Sequence, residues 1–157
     1  MPVLIPLLLA LEAAAAPTCR TADARLEQLV AAKAADLKGR EYCQQRLYHT
    51  LDDVDGDGAA DFVVVFAVEG TGGGGDNSVQ FLVLFPSSRQ WEPITVEVGK
   101  RGQRFVEGIE VDELGILLRT SEYEKDDAMC CPSGRGALRY TFLRGRLLAS
   151  AVGAVRK

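Results

Sequence analysis

Phe62-Val63-Val64-Val65-Phe66-Ala67-Val68 is an unbroken apolar run, rich in β-branched and aromatic residues, and Val79 to Phe85 is a second of the same kind. A strand with one wet face alternates polar with apolar residues, whereas continuous runs of this length suit strands covered on both faces. The two runs are therefore expected to form the central pair of a sheet. Between them, Glu69 to Asn77 is a loop with five glycines, and after them Pro86 to Pro93 carries turn chemistry around Trp91, a residue expected in the core.

Downstream the pattern alternates. Ile94, Val96 and Val98 point one way while Thr95 and Glu97 point the other, as in a strand with one wet face. Further strands are read at Arg104 to Val111, Ile116 to Tyr123, Ala137 to Leu143 and Arg146 to Ser150, with hairpin turns at Asp112 to Gly115 and Arg144 to Gly145. Short turns between consecutive strands imply antiparallel neighbours. Upstream, Thr21 to Lys38 is helical: Leu26, Leu29, Val30, Lys33 and Leu37 fall on one narrow stripe, suited to lying on a sheet. Thr21 or Asp23 can cap its start and Gly39 can end it in the left-handed conformation. The class is α+β, one N-terminal amphipathic helix followed by an antiparallel β-meander of about six to seven strands, forming a single domain over residues 16–157.

Residues 1–15 read as a secretion signal. Val3 to Leu11 is an apolar run too short to span a bilayer, and Ala13 to Ala16 offers a cleavage site, placed after Ala15 because Pro17 would follow a cut at Ala16 awkwardly. The alternative is a buried N-terminal helix or strand, since the segment lacks a leading Lys or Arg and Glu12 interrupts it. Ala16-Pro17-Thr18 before Cys19 is a poor lipobox, so a soluble periplasmic or secreted product is expected, with no stable membrane insertion after the signal is removed. The formal charge of −4, with no run of Lys and Arg, disfavours nucleic acid as a partner.

The clearest site is Asp53-Val54-Asp55-Gly56-Asp57-Gly58-Ala59-Ala60-Asp61. Calcium needs six or more oxygens, and alternate carboxylates on a tight loop supply them: Asp53, Asp55, Asp57 and Asp61 fall at positions 1, 3, 5 and 9 of a calcium loop, with the Ala59 carbonyl at position 7. Position 12 is Val64 and not a bidentate Glu, and a strand follows instead of a helix, so this is not an EF-hand. An ion-free Asp and Gly turn is the plainer reading; if an ion binds, it is expected to be structural.

The four cysteines, Cys19, Cys43, Cys130 and Cys131, are expected to form two disulfides in an oxidising compartment. Adjacent cysteines seldom bridge, so one link from each of Cys130 and Cys131 back to Cys19 and Cys43 is predicted. Vicinal cysteines could also act as a redox pair or as soft-metal ligands. Gly70 to Gly75 lacks the Lys-Ser/Thr ending of a phosphate loop, and a single histidine, His49, gives little support to a hydrolase triad. Lys100, Arg101 and Arg104 read as a solvated turn.

Taken together, the Asp-rich loop running into a strand, the Gly-rich loop, Phe81-Leu82-Val83-Leu84-Phe85, and the late Cys130-Cys131-Pro132-Ser133 followed by Tyr140 resemble a group of small exported bacterial proteins. These combine an FG-GAP-like DxDGDG or DxNGDG loop with a CCP[ST] segment. The resemblance covers roughly Leu47 to Ala149 and implies export, a β-rich fold and disulfide use, without a substrate. The function expected is that of a noncatalytic exported module, stabilised by calcium and disulfides, that binds a protein or envelope polymer. A metal-dependent hydrolase using the Asp53, Asp55, Asp57 and Asp61 cluster is the alternative.

Overall fold

The computed structural model describes Cys19 and residues 23–87 and 92–152, with the backbone alone at 48–51 and 151; the proposed signal segment, Thr21 and Trp91 lie outside the described residues. Within them the chain runs α1 (Ala24–Asp36), β1 (Arg40–Glu41), a 3-10 turn (Cys43–Gln45), β2 (Leu47–Asp52), β3 (Asp61–Glu69), β4 (Ser78–Phe85), β5 (Ile94–Lys100), β6 (Arg104–Asp112), β7 (Gly115–Glu122), β8 (Gly134–Leu143) and β9 (Arg146–Val152). All pairings are antiparallel, and β3 to β9 follow one another in sequence order, with β1 and β2 both on the free side of β3.

The expected count of six to seven strands is corrected to eight full strands plus the two-residue β1. The additional full strand is β2, whose sequence Leu-Tyr-His-Thr-Leu-Asp mixes polar with apolar residues because it borders the sheet and needs no second covered face. His49 lies on it, opposite Val63. The helix is also shorter than Thr21 to Lys38 and begins at Ala24, well inside the chain rather than at its N-terminus. Asp23 caps it, accepting from the Arg25 and Leu26 backbone N–H groups at 2.9 and 3.4 Å. The left-handed residue at its end is Lys38 (φ 51°), not Gly39. Gly39 is needed for space instead: a Cβ there would sit 2.5 Å from the Glu69 carbonyl oxygen across the β1–β3 pairing.

Period-2 alternation sorts β3 and β4 into two cores. Val63, Val65, Leu82 and Leu84 face one way, towards Val98, Val106, Ile116, Leu118, Tyr140 and Leu147 of the later strands. Val64, Phe66, Val68, Phe81, Val83 and Phe85 face the other, against Leu26 and Val30 of α1. Phe66 pairs with Phe81 across the ladder, ring centroids 5.4 Å apart, and Phe62 with Phe85 at 5.7 Å. The helix, β1–β5 and β6–β9 thus form three layers, and β3–β4 is buried on both sides as its sequence requires.

The sheet folds over between β5 and β6, which share only the Lys100–Arg104 pair. Gln80 bridges the gap. It is fully buried at a bulge in the β4–β5 ladder, and its carboxamide accepts from the Val106 N–H at 2.6 Å and donates to the Val106 carbonyl at 3.3 Å. One side chain thereby satisfies a backbone donor and acceptor on a strand two places away. Gly99 leaves room for it, since a Cβ there would lie 2.9 Å from Gln80 Oε1.

The segment after the helix is fastened by Arg46, whose side chain is 3% exposed. Its guanidinium forks onto both Glu41 oxygens at 2.6 and 2.7 Å and donates to Glu27 of α1 at 2.9 Å. Burial raises the Glu41 carboxyl above its usual range even though Arg46 pulls it down.

Candidate functional site: the Asp53 to Asp61 loop and the cysteines

The acidic loop joins β2 to β3, so its last residue, Asp61, is also the first of β3. Asp61 is 3% exposed and fully engaged: Oδ2 accepts from the Val54 and Asp55 N–H groups at 2.8 and 3.1 Å, and Oδ1 accepts from the Ser87 N–H at 2.7 Å. Asp53 organises the turn from the other end, taking the N–H groups of Gly56, Asp57 and Gly58 at 2.7, 3.1 and 2.8 Å. Gly56 and Gly58 hold φ of 80° and 87°, a conformation that only glycine adopts without cost. The chain therefore wraps its own amides around two carboxylates.

This wrapping brings Asp53, Asp55 and Asp61 together, each offering an oxygen within 4.8 Å of the others. Asp55 is the least satisfied. Its Oδ1 accepts from the Asp57 N–H at 3.1 Å, while its Oδ2 is shut off from solvent with no hydrogen-bond donor. Burial, and then repulsion from Asp61, Asp57 and Asp53, pushes its carboxyl above the usual range. Asp57 is not part of the convergent trio. Its carboxylate accepts from the Ala59 N–H at 2.8 Å and from the Ser87 hydroxyl at 3.2 Å. Ala59 is thus placed by Asp57, at the exposed rim of the loop.

Ser87 belongs to no motif in the sequence. It lies two residues beyond β4, yet contacts both Asp57 and Asp61, and so ties the loop to the open end of the central hairpin. A serine just after an apolar strand is too common a signal to single out. Gln80 was more legible, as the one polar residue inside an apolar run.

The cysteines pair as Cys19–Cys43 and Cys130–Cys131, which corrects the predicted links between the two groups. The reason is the packing of α1. Arg46 reaches the first turn of the helix, so the chain four residues ahead of Asp23 arrives beside Cys43, with a Cα–Cα distance of 5.2 Å. Cys130 and Cys131 then have only each other as partners within the chain. No cysteine is free, so the neighbouring group of Cys19, Glu41 and Cys43 has no thiolate for a metal.

In the basic turn, Arg101 donates to the Asp76 carbonyl at 2.6 Å, while Arg104 Nε, buried without a hydrogen-bond partner, lies 3.6 Å from a Glu122 carboxylate oxygen. Among the described residues, cavities away from the loop include two. One of about 630 Å³ lies between α1 and the segment at Arg40 to Gln44, and one of about 650 Å³ lies on the outer face of β7 and β8 around Arg119 and Ala137. No helix among the described residues is long and apolar enough to cross a membrane. The disulfides are consistent with an oxidising, extracytoplasmic setting. No family model, curated protein or solved structure matches the chain.

Proposed function

We propose that the protein is a noncatalytic exported module, periplasmic or secreted, whose loop from Asp53 to Asp61 holds a structural calcium ion, and that it binds a protein or an envelope polymer. The observation that carries the reading is the convergence of carboxylate oxygens from Asp53, Asp55 and Asp61, together with Asp55 Oδ2, a sealed oxygen with no donor. Leaving such an oxygen buried and unpaired is costly, and a hard cation removes that cost while offsetting the repulsion among the carboxylates. Asp53, Asp55 and Asp61 would hold the ion, with Asp57 and the Ala59 carbonyl as the remaining candidates from the loop. The ion would supply charge neutralisation and a fixed turn.

A structural role fits the position of the loop. Through Asp61 and Ser87 it ties its own backbone at Val54 and Asp55 to the start of β3 and to the chain just beyond β4. The likeness of the loop and of Cys130-Cys131-Pro132-Ser133 to small exported bacterial proteins supports the same conclusion.

Thermal unfolding of the purified protein in calcium and in chelator tests the reading. A ligand that binds only the native state adds about 2.7 kcal/mol at a hundredfold excess over its Kd, so calcium should raise the midpoint by several degrees. Asp55→Asn should abolish that rise while leaving the chelator midpoint close to the parent's. An unchanged midpoint at saturating calcium would sink the ion.

A further inference from the structure

The two disulfides do different things for the fold. Cys19–Cys43 spans a sequence separation of 24 and fastens the chain ahead of α1 to the turn beyond it. Cys130–Cys131 joins consecutive residues whose Cα atoms stand 3.8 Å apart, the spacing of any trans peptide, so it closes no loop and removes almost no freedom from the unfolded chain.

The loop that carries it, residues 123–133, is braced without it. The Tyr123 hydroxyl donates to the Met129 carbonyl at 2.6 Å, and the Asp127 carboxylate accepts from the Glu124 and Ser133 N–H groups at 2.7 and 2.8 Å. The Cys131 N–H donates to the Ala128 carbonyl at 2.9 Å. The Tyr123 ring stands edge-on to Phe105 at 5.9 Å. Both cysteines are exposed. This disulfide therefore contributes little to stability, lies open to solvent, and sits on a scaffold that does not need it.

We propose that Cys130–Cys131 is a thiol–disulfide exchange site whose substrate is an external dithiol, while Cys19–Cys43 remains closed. A thiolate of the dithiol attacks one of the two sulfurs, the Cys130–Cys131 bond breaks, and the other cysteine leaves as a thiolate that takes a proton. The second thiol of the reductant then attacks its own sulfur in the mixed disulfide, expelling the second cysteine. Two electrons and two protons pass to the protein, and the reductant leaves as a disulfide. Adjacency selects the substrate class. After attack by a monothiol, the freed cysteine sits one residue from the mixed disulfide at high effective concentration and recloses the bond, so a partner without a second thiol achieves little net reduction.

Titration of the intact oxidised protein with dithiothreitol, followed by alkylation and peptide mass spectrometry, tests this. Cys130 and Cys131 should become alkylated at a reductant concentration at least tenfold below that which opens Cys19–Cys43, and glutathione at equal thiol concentration should leave the pair closed. The doubly substituted Cys130→Ser, Cys131→Ser protein should keep the parent thermal midpoint. Reduction of Cys19–Cys43 first or together with the pair, alkylation of Cys130 or Cys131 before any reductant, equal reduction by glutathione, or a lowered midpoint in the double variant would each overturn the proposal.

Discussion

The β3–β4 hairpin and the β6–β9 half of the sheet are built from strands of similar length, but they solve different burial problems. Val63 to Val68 and Leu82 to Leu84 are at most 1% exposed, with α1 on one side and the later strands on the other. In β7 burial alternates from Ile116 through Leu118 to Thr120, with Ser121 buried as well, and the outer face is a lattice of ion pairs: Arg119 with Glu110 at 2.9 Å, Arg135 with Glu107 at 2.7 Å, and Arg139 with Asp112. The lesson is that stability is concentrated in the first region, while the second offers an outer surface that can change at little energetic cost.

Substitutions can break or sharpen that contrast. The largest effect is expected from Phe66→Ala, which removes a fully buried ring stacked on Phe81 and should cost about 3–5 kcal/mol in denaturant unfolding; a loss below about 1 kcal/mol would show that the helix face is loosely packed. Next comes Gln80→Leu, which joins the two regions' fates. It strands the Val106 N–H and carbonyl in the core and should cost about 1–3 kcal/mol, measured the same way.

Asp23→Ala removes the cap of the helix that covers the first region and should cost about 1 kcal/mol. The hydrogen bond from the Arg25 side chain, helped by the backbone N–H groups, lowers the Asp23 carboxyl below its ordinary 3.8. Its contribution is therefore complete above that ordinary value and is lost as pH falls through the lower folded-state value. Asp23→Asn keeps a capping oxygen and should flatten this acid limb, which unfolding at a series of pH values would read. The smallest effect belongs to the second region: Arg119→Ala breaks an exposed pair and should change stability by less than about 1 kcal/mol, diminishing further in high salt.

The legibility of the sequence follows the same division. Phe62 to Val68 and Val79 to Phe85 announce their double burial because no polar residue but Gln80 interrupts them, and Ile94 to Val98 announces its wet face by alternation. The turn at Arg144 and Gly145 is equally plain, and both residues hold positive φ as a tight hairpin needs. What stayed hidden depends on long-range closure. β2 has little signature because an edge strand carries a weak pattern, and the cysteine pairing differs from the expected one because nothing local says that α1 returns Cys19 to Cys43. In the acidic loop, the spacing pointed to four aspartates, while the fold gathers Asp53, Asp55 and Asp61 and turns Asp57 towards Ser87, a residue thirty positions away.

Gln80 has a consequence for how this sequence can drift. Its carboxamide does for β6 what a neighbouring strand would otherwise do, and it fits only because position 99 has no side chain. Positions 80 and 99 are thus a single unit of variation. A methyl at 99 would displace the carboxamide and open the fold at its crease, whereas a chain that lost both together would have to knit β5 to β6 along their full length. The Val106 amide should report this directly, exchanging with deuterium as slowly as the central ladder in the parent and among the first to exchange once Gln80 is gone.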